Sequence, residues 1–293
     1  MTVVARTPST DWAKVVPGGP GADASELART LRARRWLVLT GAGISTASGI
    51  PDYRGPDGTR RVQPMTIQEF RSSPAARQRY WARSYVGWRR LHAARPNEAH
   101  RAVATLQRAG VLGAVITQNV DGLHQAGGAR GVLELHGSLA RVVCDHCGLI
   151  MERSSVDATM ASANPGFHVD SDEIRPDGDI SLLDMDVERF IAPLCPGCGH
   201  DQLRPDVVFF GDGVPAERVE RCHRLVAGCE GLVVLGSSLA VMSGLRFVRA
   251  VARRGRPIVM VTAGPSRADE LVTLRSHRQL EVVLPAVAAL CTG

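Results

Sequence analysis

Lysine is almost missing from this 293-residue chain. Of its 35 basic residues Lys14 is the one lysine, which leaves 34 arginines. An arginine-favouring codon usage explains this better than a nucleic-acid surface would. The arginines are scattered, with short clusters such as Arg89-Arg90 and Arg253-Arg254, where a dedicated nucleic-acid face carries a dense stripe. The net charge of +6 still suits an anionic cofactor or an acidic partner. Long apolar runs are missing too. None approaches the ~18 residues that span a bilayer, so no membrane partner is expected. No hydrophobic stretch precedes Pro17, so no secretory signal is expected and a cytoplasmic location is the default expectation. An even cysteine count is also lacking. There are seven, of which Cys222, Cys229 and Cys291 stand outside any pair, and this argues against a disulfide framework. Internal repeats are not found.

What is present points to a globular enzyme-sized chain. Hydrophobic residues make up 44% and charged residues 22%. The length allows one large domain, or a large one with a small companion. Residues 1–24 are rich in Pro, Gly, Thr and Ser without a clear period, and are expected to form a mobile tail. Helical spacing of Leu27, Thr30 and Leu31 predicts a first helix from Ala24 to Arg34. The run Trp36-Leu37-Val38-Leu39-Thr40 is too short for a helix and ends in glycines, which fits a buried parallel strand. Three further runs, from Gly113 to Thr117, Leu232 to Leu235 and Pro257 to Val261, have the same character. Helical stretches such as His100 to Ala109 and Ala216 to Ala227 lie between them. Strands alternating with helices predict an α/β fold with a Rossmann-like, doubly wound parallel sheet. Two segments interrupt it. Residues 141–204, with a polar Pro/Gly/Asp-rich middle, read as an inserted small metal module. Residues 56–95 read as a helical excursion, helical from Ala75 to Leu91. The large domain is then 25–140 with 205–293.

Cys144-x-x-Cys147 and Cys195-x-x-Cys198 bracket the inserted module, and Gly148 and Gly199 follow the second cysteine of each pair. A glycine there lets the backbone turn tightly around a metal held by two thiolates. Two such knuckles supply four sulfurs, the tetrahedral donor set that zinc prefers, and leave no open position. One structural Zn2+ is the expectation.

The glycine-rich segment Gly41-Ala42-Gly43-Ile44-Ser45 follows the first strand directly. Glycines at a strand-to-helix turn let backbone N–H groups approach a pyrophosphate, and a helix N-terminus there favours negative charge. The ordinary dinucleotide fingerprint would need a third glycine where Thr46 stands. The loop carries more when taken to its end, Ser48-Gly49-Ile50-Pro51-Asp52-Tyr53-Arg54. Thr117-Gln118-Asn119-Val120-Asp121-Gly122-Leu123-His124 closes the second apolar run. Leu135-His136-Gly137 stands just before the first cysteine pair. Arg204-Pro205-Asp206-Val207-Val208-Phe209-Phe210-Gly211-Asp212 and Gly236-Ser237-Ser238-Leu239 follow. In this order, over residues 36 to 285, these motifs resemble the sirtuin family, and an ordered set is far more specific than any one of them. The Gly-Ile-Pro-Asp-Tyr-Arg loop, Arg77 to Arg83 and Pro176-Asp177-Gly178-Asp179 are most similar to the class II branch and its mitochondrial animal member.

The resemblance implies an NAD-dependent protein lysine deacylase that releases nicotinamide and O-acyl-ADP-ribose, with NAD as co-substrate and acylated lysines of proteins as partners. It implies NAD contacts from Gly41, Ala42, Gly43, Ser45, Ile50, Asp52, Tyr53, Arg54, Gln118, Asn119, Asp121, Gly236, Ser237, Ser238, Thr262, Ala263, Gly264 and Leu280. Ile50 and Asp121 would hold the nicotinamide amide, and Tyr53 would cover the emptied nicotinamide pocket. Thr262 stands where the family has an asparagine, with fewer hydrogen-bonding partners to offer. The implied base is His136, suited to a proton transfer near neutral pH, with Asn119 positioning ribose and water. The peptide would add as a strand along Val207, Val208, Phe209 and Phe210. One branch of the family reads acidic acyl groups through a Tyr-x-x-Arg pair. Tyr80 and Arg83 have that spacing, and two readings stand: a partner for an acyl carboxylate, or an arginine on a helix surface. Protein mono-ADP-ribosylation, also attributed to class II relatives, and a non-catalytic zinc-ribbon module are the alternative functions.

Overall fold

The computed structural model describes residues 19–55, 59–60, 63–169, 171, 173 and 175–293. The expected tail therefore lies outside the described residues up to residue 18. At its C-terminal end the expectation is corrected: Ala22 N–H donates to the Arg275 carbonyl at 2.8 Å and His277 N–H to the Pro20 carbonyl at 3.0 Å. Ala22 is buried in the core. Backbone pairing thus holds the chain several residues before the first helix.

That helix, α1 (Ala24–Leu31), starts with Asp23, whose carboxylate accepts from Glu26 N–H and satisfies one of the orphan donors of the first turn. It ends three residues earlier than its spacing predicts, because Trp36 indole Nε1 donates to the Leu31 carbonyl and turns the chain into β1 (Trp36–Thr40). The other strands of the main sheet are β2 (Leu112–Thr117) and β3 (Val132–Glu134), then β7 (Gly231–Leu235), β8 (Ile258–Val261) and β9 (Leu274–Ser276). Their order is β3-β2-β1-β7-β8-β9, and every pairing is parallel. The edge strands β3 and β9 are three residues each, too short to stand out as apolar runs.

Residues of β1 alternate between two cores. Trp36 and Val38 face a cluster built with α1, α4 (Glu98–Arg108) and α10 (Leu280–Thr292). Leu37 and Leu39 face a second one built with α8 (Ala216–Gly228) and α9 (Met242–Ala252). Helices on both faces of a parallel sheet require strands apolar on both faces, which is why the strands read as continuous runs rather than alternations. The doubly wound α/β expectation holds.

The chain leaves this sheet twice. The first excursion forms α2 (Ile67–Arg71), closed by a capping box between Thr66 and Glu69, and α3 (Pro74–Ala93). The second forms an antiparallel sheet ordered β5-β4-β6, from β4 (Gly137–Cys144), β5 (Ile150–Glu152) and β6 (Leu203–Val207), flanked by α6 (Arg153–Ala163) and α7 (Asp184–Glu188). Both excursions share one core. Trp81 and Tyr80 of α3 pack with Val142, Val156, Met160 and Phe190. Arg153, fully buried, lies between the Trp81 and Trp88 rings, 5.0 and 5.2 Å from their centroids, and donates to the Ser84 hydroxyl and carbonyl. Hydrogen bonds and ring faces together compensate a cation that burial alone would make costly.

The four cysteines lie at the tip of the small sheet. Their ligand atoms all fall within 4.8 Å of one another, with Sγ–Sγ separations of 3.7 Å for Cys144–Cys198 and 3.6 Å for Cys147–Cys195. A tetrahedron with ~2.3 Å metal–sulfur bonds has edges of about 3.8 Å, so the arrangement is consistent with one structural zinc. Each knuckle closes by a glycine amide: Gly148 N–H to the Cys144 carbonyl, Gly199 N–H to the Cys195 carbonyl, both glycines at positive φ. Arg71 and Arg204 grip Asp145 of the first knuckle, and Arg77 grips Asp201 beyond the second, tying the tip to α2 and α3.

Two predictions follow from this packing. Gly87 lies mid-helix in α3, where alanine would gain about 1 kcal/mol of helix propensity. Its Cβ, however, would sit 2.3 Å from the Gly178 carbonyl oxygen. Overpacking against backbone costs roughly 1–3 kcal/mol, so Gly87→Ala is expected to lower Tm by calorimetry; a raised Tm would refute the contact. Removing the metal by chelation, or making Cys144→Ser, is expected to unfold the small module. Metal analysis should then fall from one zinc per chain, and the fluorescence of Trp81 and Trp88 should shift to the red. Native fluorescence from fully metal-free protein would contradict this.

Candidate active site

The chain order places β2 and β3 to one side of β1 and β7, β8 and β9 to the other. The winding therefore reverses between β1 and β7, and their C-terminal ends open on a crevice, the usual ligand site of such sheets. Two loops meet there. Gly41 N–H donates to the Leu235 carbonyl and Gly43 N–H to the Gly236 carbonyl, at 3.1 and 2.9 Å. A Cβ on Gly41 would come within 2.8 Å of the Ser237 side chain, one on Gly43 within 2.9 Å of the Gly236 oxygen, and one on Gly236 within 2.5 Å of Ile44 N. The glycines thus serve the approach of the two loops to each other. Two short 3-10 turns follow Gly41, Ala42–Ile44 and Thr46–Ser48, so the expected strand-to-helix turn is corrected. Without a long helix starting there, Thr46 meets no close packing and a third glycine is not needed.

Ser45, fully buried, joins the loop to the next motif. Its hydroxyl donates to Asp121 Oδ2 at 2.7 Å and accepts from Asn119 Nδ2 at 3.1 Å. Asn119 Nδ2 also donates to the Gly41 carbonyl. Gln118 Nε2 donates to the Thr40 carbonyl and to Ser237 Oγ, at 3.1 and 2.8 Å, and so reaches across to the second loop. Asp121 Oδ1 accepts from Leu123 N–H. Burial raises the Asp121 carboxyl above its ordinary range, against the pull of those hydrogen bonds.

His136 follows the edge strand β3 and precedes Gly137, which has φ of +85° and would place a Cβ 1.9 Å from the Asp206 carbonyl oxygen. Its Nδ1 lies 2.9 Å from the Gln118 carbonyl and its Nε2 2.8 Å from Ser243 Oγ. A carbonyl only accepts, so Nδ1 carries the proton and Nε2 the lone pair. Burial pushes the imidazole down to about 4, the Gln118 carbonyl opposing and Arg218 and Arg246 assisting. At neutral pH His136 is an uncharged base.

The other expected residues fall at different distances from this network. Ile50 is buried with Trp88, Leu91, Leu123 and Leu139. Asp52 and Arg54 are half-buried at the end of the first loop. The Tyr53 ring stands edge-on to Phe210 at 5.6 Å, and burial with the nearby Asp177 holds its phenol well above the ordinary range. The Ser238 carbonyl accepts from Arg267 N–H, and Leu239 beside it has φ of +53°. Thr262 follows β8 and bonds through its backbone to Ser276, Ala263 is exposed, and the Gly264 carbonyl accepts from Arg275. Leu280 begins α10 and its side chain is buried in the core under the sheet. A contact between Leu280 and NAD would therefore have to come from its backbone. Along the expected peptide edge, Val208 N–H donates to the His136 carbonyl and the Phe210 carbonyl accepts from Ile67 N–H. Phe209 packs on Phe70 and Tyr80. Val207 ends β6, so an added strand would use the remaining backbone groups of this segment. Ser243 is the site residue that no motif singled out; its signal is spatial, since 107 residues separate it from His136.

The residues present fit NAD. The two glycine loops meet at the ends of β1 and β7, and the polar side chains of Ser45, Gln118, Asn119 and Asp121 converge behind them. A protein-family model described as the Sir2 family matches residues 41–243. The chain is 51% identical to the NAD-dependent protein deacetylase 1 of Streptomyces coelicolor over 283 residues, covering 96% of this chain and 94% of that one. It is 47% identical to the NAD-dependent protein deacetylase 1 of Corynebacterium efficiens, covering 87% and 92%. A solved structure described as a Sir2–p53 peptide–NAD+ complex superposes with a TM-score of 0.71 at 30% identity, covering 90% of this chain and 96% of that one. The loop-to-loop crevice, the Gln118–Asp121 segment and His136 all lie within the matched span, and the chain belongs to the Sir2, or sirtuin, family.

Proposed function

We propose that the chain is an NAD-dependent protein lysine deacylase of the class II branch, working in the cytoplasm. The observation that carries this reading is the convergence of Ser45, Gln118, Asn119, Asp121 and a neutral His136 behind the two glycine loops. The relatives named as NAD-dependent protein deacetylases support the activity. The class II motifs Arg77 to Arg83 and Pro176 to Asp179 support the branch, and a thiolate-rich zinc site suits a reducing compartment. The division into 25–140 with 205–293 and a small module at 141–204 is part of the proposal. It is supported by separate cores, with the excursion joining the small module's core.

When bound, NAD supplies the nicotinamide–ribose bond to be broken and the ADP-ribose that takes the acyl group. The Gly41–Gly43 loop and the Gly236–Ser238 turn hold the pyrophosphate. Asp121 and Ile50 hold the carboxamide, and Asn119 orients the ribose. His136 accepts a ribose hydroxyl proton at Nε2, while Nδ1 stays bonded to the Gln118 carbonyl. Tyr53, uncharged and packed on Phe210, excludes water from the vacated side of the crevice.

The acyl group read best by this site is uncharged. Arg83 donates to the Ile180 carbonyl and is paired with Asp179 at 2.8 Å, a carboxyl only 3% exposed. Burial pushes Asp179 up to about 7, with Arg83 pulling against it. The Tyr80 side chain is buried among Phe70, Trp81 and Phe209. Both members of the Tyr-x-x-Arg pair are therefore committed within the protein, which disfavours the reading of Arg83 as a partner for an acyl carboxylate.

A panel of acyl-lysine peptides with NAD tests the whole reading, scored by nicotinamide release and O-acyl-ADP-ribose. Acetyl and short uncharged acyl groups are expected to turn over faster than succinyl or glutaryl ones; the reverse order would overturn the assignment of Arg83. His136→Ala is expected to lower turnover by at least ~100-fold, the range of a lost general base, with fold and zinc content intact. Retained turnover would sink the role of His136.

A further inference from the structure

The base proposed above does not stand free. Its Nε2, the nitrogen with the lone pair, lies 2.8 Å from the Ser243 hydroxyl, while Nδ1–H is bonded to the Gln118 carbonyl. The acceptor at Nε2 leaves one role for the hydroxyl, so Ser243 donates. Ser243 is the second residue of α9, a helix whose N-cap, Val241, provides no side-chain hydrogen bond. The next residue, Gly244, lies against Gln118 so closely that a Cβ would fall 2.6 Å from Gln118 Oε1. Gln118 is in turn bonded to Thr40 and Ser237. The start of α9 is therefore fixed against the residue that sets the His136 tautomer, and it aims a hydroxyl at the other ring nitrogen.

We propose that Ser243 is a positioning residue for His136: it holds the imidazole in one orientation and one tautomer in the free enzyme, and yields Nε2 to the ribose hydroxyl when NAD and acyl-lysine bind. The exchange is of hydrogen-bond partners alone; the Ser243 proton stays on Ser243, and the ribose proton passes to Nε2. The proposal rests on the reading of His136 as the base, and it deepens that reading by naming what prepares the ring.

The geometry has a consequence for titration. The hydroxyl donates to the bare Nε2 of the neutral ring and turns to accept from Nε2–H of the charged one, so it is coupled to the titration in both states. The charged groups facing His136 are Arg218 from α8 and Arg246 from α9, both of which oppose its protonation, and burial acts in the same direction. Removing the hydroxyl alone leaves burial and both arginines in place, so its effect on the titration is separable from theirs.

The test follows the His136 ring by NMR in the ligand-free, zinc-loaded protein, in wild type, Ser243→Ala and Ser243→Thr, beside pH profiles of kcat and KM. In Ser243→Ala the His136 titration is expected to shift by about half a pH unit or more, and the acidic limb of kcat to move with it. In the same variant kcat is expected to fall several-fold, with a smaller change in KM, and Ser243→Thr is expected to restore both. An unchanged His136 titration and tautomer in a Ser243→Ala protein of wild-type Tm would overturn the proposal, as would a threonine variant that behaves like alanine. The NMR titration needs no turnover. An absence of nicotinamide release by the wild-type enzyme would therefore strike the proposed function alone, while the ring titration decides Ser243.

Discussion

Everything at the crevice depends on how closely two loops approach each other. The Gly43 amide reaches the Gly236 carbonyl only because neither residue has a Cβ; either side chain would meet backbone at under 3.0 Å. Backbone cannot retreat as a flexible side chain can, because Gly236 N–H is itself bonded to the Val261 carbonyl in the next strand. The contact therefore locks the end of β1 to the end of β7 at the point where the winding reverses. From that lock, Ser45 is carried under the crevice, and Ser45 is what gathers Asn119 and Asp121. A loosened contact would leave each of those side chains intact and still disperse the site.

The same contact shows what the sequence could and could not reveal. The glycines were conspicuous, and their position after an apolar run was enough to place a loop at a strand end. Their packing was not legible, since a fingerprint describes ligand contact and says nothing of the loop-to-loop contact between Gly43 and Gly236, 193 residues apart. The main strands were legible because burial on both faces makes them continuously apolar. The edge strands β3 and β9 were not, because three residues carry too little pattern. The cysteine cluster was fully legible, since chelation by two thiolates demands a short spacing within each pair. Ser243 and the Arg83–Asp179 pair were illegible for the opposite reason: their meaning comes from partners fixed by the fold.

The helical excursion and the small module illustrate how distant segments acquire a common purpose. Trp81 donates its indole N–H to the Leu203 carbonyl, next to the second knuckle. Arg153 is held between Trp81 and Trp88. Phe209, at the expected peptide edge, packs on Phe70 and Tyr80 from the excursion. The zinc tip therefore bears on the crevice through a continuous aromatic core rather than through the metal's own chemistry. A four-sulfur site has no open position to offer a reactant, and the cysteines stand at the far end of the β4–β6 pair whose near end carries His136 and Val208.

Support for the Gln118–Asp121 segment also comes from below, through groups that burial keeps uncharged. The Thr40 hydroxyl donates to Thr117 Oγ1, which accepts from Asn119 N–H as well. With its single proton committed, Thr40 can only accept from His124, so His124 carries its proton on Nε2 and leaves Nδ1 bare. His100 Nδ1 accepts from Asn97 N–H, which leaves a proton on Nε2. Those two ring atoms, a bare acceptor and a donor, are buried without partners among the described residues, on rings whose centroids stand 5.0 Å apart. Burial pushes His124 down to about 3 and His100 to about 4, so neither ring acquires a charge near neutral pH. Protonation of His124 would place its added proton on Nδ1, a buried atom without a partner among the described residues. Neutral His124 thus presents Nε2–H to Thr40, and the hydrogen bonds run from this buried ring through Thr40 to Thr117, where the Asn119 amide also donates.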